Sequence, residues 1–238
     1  EWKQFSRNEP ESSFAQVTAA LSSLPAPLKK ATVARIFAEL GLTEHYDDSL
    51  PLAGVPYLSK DLYDVEGAVT GAGSSFLGNV IRLPDKSAYL IKVLEELGAV
   101  HVGKTQLNEF AYGLSGRNAH FGNVPHPLDP QCLSGGSSSG SAWCVASGLV
   151  PFAPGTDTVG SIRVPAACCG LFGIRLVPGD ETLTGVFPLA RSFDTAGWFT
   201  RSLKDMQQLC ELLLPAGKVK KSGLKGLYIE DWAGGFDY

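Results

Sequence analysis

The sequence has no Cys-x-x-Cys pair, no helical His-x-x-x-His spacing, and no Gly-Lys-Ser/Thr ending to a glycine-rich loop. These omissions remove the usual frames for structural zinc, for a helical metal site and for a nucleotide P-loop. Its five cysteines (Cys132, Cys144, Cys168, Cys169 and Cys210) are odd in number, and the adjacent Cys168 and Cys169 could pair only with strain. No disulfide framework is therefore expected. Cys144, Cys168 and Cys169 lie among Ala, Val and Leu and read as buried free thiols, which points to a reducing compartment and a cytoplasmic setting. No apolar run approaches the roughly 20 residues of a membrane span. The net charge of −4 gives no basis for expecting a nucleic acid or an anionic membrane as partner. The chain begins at Glu1 without a Met and is silent on any targeting peptide.

A histidine-based nucleophile is also poorly supplied. Only four histidines occur (His45, His101, His120 and His126), and no carboxylate is visibly placed to orient His120 or His126 in their loop. The segment Val159-Gly-Ser-Ile-Arg163 has the wrong flanks for the Gly-x-Ser-x-Gly elbow of hydrolases.

What is present is a globular composition, 44% hydrophobic and 18% charged over 238 residues, enough to bury a core. Ser12–Leu24 and Leu28–Leu42 carry apolar residues at helical spacing, divided by Pro25 and Pro27, and predict two helices within residues 1–50. A short strand in Pro51–Lys60 delivers Lys60 where the pattern turns polar, and Asp61–Phe76 reads as a long functional loop. Ser87–Leu97 is the clearest helix, through Leu90, Val93, Leu94 and Leu97, with Gly98 as its stop. Ala99–Gly103 follows as a strand, Asn108–Leu114 as a short helix, and Ser141–Ser147 and Leu149–Pro154 as a helix and a strand. A helical turn at Ala166–Gly170, strands at Leu171–Leu176, Gly197–Thr200 and Leu227–Glu230, and a helix at Leu203–Leu214 complete the pattern. The alternation predicts an α/β fold with a mixed, largely parallel sheet flanked by helices, residues 51–238 forming its catalytic core.

Two loops rich in small residues dominate that core: Gly135-Gly-Ser-Ser-Ser-Gly-Ser141 and Asp157-Thr-Val-Gly-Ser-Ile-Arg-Val-Pro-Ala-Ala167. Their glycines allow close backbone approach, and successive amides can converge on an oxyanion. A lysine drawn into a dry site loses its charge more readily than one in water. Lys60, neutral, could therefore take a proton from a serine directly or through a second hydroxyl, and the paired serine loops supply both.

These loops, with Gly54-Val-Pro-Tyr-Leu-Ser-Lys-Asp61, Val102-Gly-Lys-Thr-Gln-Leu-Asn-Glu109 and Ser192-Phe-Asp-Thr-Ala-Gly-Trp198, resemble the amidase signature family. The resemblance covers roughly residues 50–215 in the family's own order. It implies amide-bond hydrolysis by a Ser–Ser–Lys triad, with Ser161 as acylating nucleophile, Ser137 as the bridging serine after a cis peptide bond, and Lys60 as base. It further implies backbone donors at Thr158, Val159, Gly160 and Ser161 as oxyanion hole, with Ser138, Asp157 and Arg163 in support and no metal or cofactor. The residues around Phe172-Gly-Ile-Arg175 and Ser192-Phe-Asp-Thr195 are most similar to plant-type indoleacetamide amidases. Other readings within the resemblance are an amidotransferase subunit and a non-catalytic interaction domain.

Two departures stand out. Val159 occupies a position where many relatives have glycine, so its backbone must lie outside the φ > 0 region. Leu176-Val-Pro stands where relatives carry Pro-Thr or Pro-Ser. A complete family domain is around twice this long, so the chain is expected to cover its N-terminal half. The expected partners are a small amide substrate and either a homodimer or a second chain completing the domain. Trp143, Tyr57, Phe187 and Phe152 are apolar enough to line a pocket, with core packing as the plainer role.

Overall fold

The computed structural model describes residues 10–37 and 47–214. Two helices, α1 (Pro10–Ser23) and α2 (Ala26–Thr32), lead into strand β1 (Val33–Ile36). Then come β2 (Pro56–Lys60), the short α3 (Leu77–Val80), α4 (Tyr89–Glu96) and β3 (Val100–Thr105). The second half runs α5 (Ser139–Ala146), β4 (Phe152–Asp157), α6 (Arg163–Cys169), β5 (Phe172–Arg175), β6 (Thr195–Thr200) and α7 (Leu203–Leu213). Among the described residues no helix is long and apolar enough to cross a membrane.

The six strands form one sheet in the order β1-β3-β2-β4-β6-β5. It is mixed: β3-β2-β4 pair in parallel at the centre, and β1, β6 and β5 join antiparallel outside them. Side chains alternate across the sheet and so build two cores. In β6, Trp198 packs with Leu90, Leu94, Met206 and Leu209 of α4 and α7. Its neighbour Phe199 points the other way, toward Val17, Leu21, Trp143 and Val145 of α1 and α5. Strand β2 divides likewise, with Tyr57 in one core and Leu58 in the other. The α4 stripe is as its periodicity predicts, with Leu90, Ile91 and Leu94 buried. At α7, Ser202 caps the start by accepting the Asp205 amide at 3.1 Å.

The helix expected over Leu28–Leu42 ends at Thr32, and Val33–Ile36 is instead an edge strand. Its β-branched residues suit a strand, and the partner makes room for it: a methyl group on Gly103 of β3 would strike the Arg35 carbonyl oxygen. Asn108–Leu114 contains only the 3₁₀ turn Glu109–Ala111, because Phe110 and Ala111 adopt φ of 52° and 58°. The strand expected at Leu227–Glu230 lies outside the described residues. All five cysteines are unpaired, but Cys168 is exposed rather than buried, since α6 turns it outward.

Candidate active site

Strands β2 and β4 lie side by side and parallel, so their carboxyl ends meet. That crevice is where α/β sheets gather functional groups. Lys60 is the last residue of β2, and Asp157 is the last residue of β4. Helix α5, which starts at Ser139, brings the first serine loop against the same edge.

Lys60 is fully buried, and its Nζ lies 2.8 Å from the Ser137 hydroxyl and 2.8 Å from the Thr156 hydroxyl. Burial strips water from the ammonium and lowers its pKa from 10.5 to about 7, against the opposing pull of Asp157 and Asp194. A substantial neutral fraction near pH 7 follows, as a base requires. The peptide bond entering Ser137 from Gly136 is cis.

Ser138 stitches the two loops together. Its amide donates to the Ser161 carbonyl at 3.2 Å, and its hydroxyl donates to the Thr156 carbonyl at 3.1 Å. Ser161 is 3% exposed, and its hydroxyl forms no hydrogen bond among the described residues. Of the expected relay, the Lys60–Ser137 contact is thus made, whereas Ser137–Ser161 is not joined by a hydrogen bond here.

Asp157 shapes the nucleophile loop. One carboxylate oxygen accepts the Gly160 amide at 2.8 Å and Arg163 Nη2 at 3.0 Å. The other accepts the amides of Ile162 (3.1 Å) and Arg163 (3.2 Å) and Arg163 Nε (3.0 Å). Burial alone would raise this carboxyl's pKa, but the Arg163 guanidinium and the two amides outweigh it and hold the group below the ordinary carboxylate range. Arg163 thereby braces the loop bidentately.

The oxyanion donors need a correction. The Gly160 N–H is already committed to Asp157, which leaves the amides of Thr158, Val159 and Ser161 without an acceptor among the described residues. Gly160 carries the left-handed backbone, at φ 143°, so Val159 keeps an ordinary conformation, as a β-branched residue requires. The Val159 side chain is 69% exposed over the loop.

Two participants carry no signal in the sequence by themselves. Thr156 is the second partner of Lys60. Asp194 accepts the Thr158 hydroxyl at 2.6 Å and the Leu189 and Ala190 amides at 2.9 Å each, so it ties the oxyanion loop to the next loop wall. A cavity of about 500 Å³ lies there, lined by Thr156, Thr158, Phe187, Asp180 and Arg191 among others. Of the four aromatic candidates only Phe187 lines it; Tyr57, Phe152 and Trp143 are core. His120 pairs with Glu109 at 3.1 Å, a carboxylate partner the sequence did not reveal, and His126 faces the Cys168 carbonyl at 3.0 Å. Neither imidazole contacts the serine loops' hydroxyls. Among the described residues no three His, Cys, Asp or Glu side chains gather as metal ligands would.

Comparison with known proteins matches residues 20–222 to the amidase family. Rice "Amidase 1" is 42% identical over 166 residues, covering 70% of this chain and 38% of that protein. The indoleacetamide hydrolase of Pseudomonas savastanoi is 39% identical over 176 residues, covering 74% of this chain and 38% of the hydrolase. A crystal structure of an amidase superposes with a TM-score of 0.73 at 36% identity, over 87% of this chain and 48% of that one. The chain thus spans less than half the length of these relatives.

Proposed function

The chain belongs to the amidase family, and from that membership we propose that the whole protein hydrolyses amide bonds through an acyl-enzyme on Ser161. The observation carrying this reading is the fully buried Lys60 amine 2.8 Å from the Ser137 hydroxyl, beside a loop that presents Ser161. Neutral Lys60 accepts the Ser137 proton as Ser137 accepts that of Ser161, and the Ser161 oxygen forms a bond to the amide carbon. The carbonyl oxygen becomes an oxyanion facing the free amides of Thr158, Val159 and Ser161, each worth about 3 kcal/mol in comparable sites. When the intermediate collapses, the carbon–nitrogen bond breaks and the relayed proton leaves with the amine. Water, deprotonated through the same relay, then releases the carboxylic acid and restores the Ser161 hydroxyl. No step uses a metal or an organic cofactor.

The substrate is a small or medium acyl amide, in keeping with a cavity of about 500 Å³. For partners we propose either a homodimer or a second chain completing the domain; support comes from the 38% share of rice Amidase 1 that this chain spans. Sedimentation of the full-length protein separates those two cases from a monomer. The test of the reaction is intact mass spectrometry of the full-length protein after a fluorophosphonate probe. One adduct on the parent and none on Ser161→Ala is expected. No adduct on the parent would refute the hydrolase reading.

A further inference from the structure

The cavity beside the nucleophile loop holds a charge that the reaction above does not use. Arg191 lines it together with Thr156 and Thr158, yet forms no hydrogen bond or ion pair among the described residues. The neighbouring arginines are occupied. Arg163 is bound bidentately to Asp157, and Arg175 donates to the carbonyls of Thr158 and Phe193 at 3.4 and 3.1 Å.

The acidic residues of the same lining do not neutralise Arg191. Asp194 is saturated by the Thr158 hydroxyl and two amides. Asp180 caps the turn at Glu181–Leu183 by accepting the Thr182 amide at 2.9 Å. A guanidinium on a solvated surface would need no explanation. One turned into a concave site next to the acylating loop has a ready complement, because its planar fork matches a carboxylate in two parallel hydrogen bonds.

We propose that Arg191 selects amides carrying a carboxylate, such as monoamides of short dicarboxylic acids. The inference rests on the amidase reading and names the substrate class of that site. Because Asp180 lines the same cavity, selectivity is positional: the carboxylate gains where it reaches Arg191 and loses where it faces Asp180. The number of carbons between amide and carboxylate therefore matters.

The test uses the full-length protein and protection of Ser161 from the fluorophosphonate probe. Competitors are malonamate, succinamate and glutaramate, each paired with its neutral diamide. The readout is the ratio of half-protecting concentrations within a pair, which does not depend on the absolute labelling rate. In the parent, the best carboxylate is expected to protect at a concentration at least tenfold below its diamide. In Arg191→Met the ratio is expected to fall within about twofold of unity, with Arg191→Lys between; Arg191→Gln replaces Arg191→Met if the latter does not accumulate. Equal protection at every length, no protection by any competitor, or a preference that survives in Arg191→Met overturns the proposal. A parent that takes no adduct without competitor overturns the amidase reading instead.

Discussion

Lys60 has no exposed surface, and its amine titrates near 7 rather than 10.5 because burial removes water from the charged form. At pH 8 a lysine with a pKa of 7 is about nine-tenths neutral, whereas one at 10.5 is neutral in roughly 0.3% of molecules; burial thus enlarges the population of usable base roughly 300-fold. The same shift acts on stability. Between about 7 and 10.5 the unfolded chain holds the Lys60 proton and the folded chain does not, so this group's contribution to stability rises with pH across that window. Below it the fold bears the full cost, on the order of 5 kcal/mol. The assay is the rate constant for fluorophosphonate adduct formation, followed from about pH 5.5 to 9.5. It is expected to climb close to tenfold per pH unit below 7 and to level above about 8. Lys60→Met is expected to react roughly 10² to 10⁴ times more slowly with no inflection near 7. A flat parent profile, or an inflection near 10.5, would refute the argument that a desolvated Lys60 is the base.

Three further outcomes follow from contacts described above. Thr156→Val leaves Lys60 with Ser137 as its one remaining hydrogen-bond partner among the described residues; adduct formation should slow about tenfold, with about 1–3 kcal/mol lost in a denaturant titration. Lys104, whose side chain is completely buried, meets Asp61 at 2.6 Å. Asp61→Asn strands that ammonium and should cost about 3–5 kcal/mol, seen as a lower midpoint in a circular dichroism melt. Gly197→Ala would drive a methyl into the Ile174 carbonyl oxygen across the β5–β6 pairing, so soluble yield should fall sharply; wild-type yield and melting would contradict the register.

The α4 helix and the β6 strand were legible because their apolar spacing matches the way they are buried. The triad candidates were legible for another reason: two serine loops and one lysine form a chemically specific set. The β1 strand was hidden because Val33–Ile36 continues the helical spacing of the preceding segment, and only the Gly103 backbone across the sheet makes pairing available. Thr156 and Asp194 were missed since an isolated threonine or aspartate carries no pattern; their roles come from contacts at sequence distances of 96 and 36 residues. The Gly160 amide misled for a similar reason. A turn rich in small residues announces available N–H groups, but which of them a carboxylate has already taken is decided by how Asp157 is aimed.

The Lys60–Ser137 contact joins residues 77 positions apart, and it activates only when water has left. In an unfolded or half-made chain Lys60 is an ordinary surface-like cation with its usual affinity for protons, and Ser161 is as inert as any other serine. Reactivity is therefore installed by the last stages of folding rather than written into the chain at synthesis. A nascent or damaged molecule is chemically harmless to its surroundings, and covalent labelling of Ser161 reports completed structure as directly as it reports function.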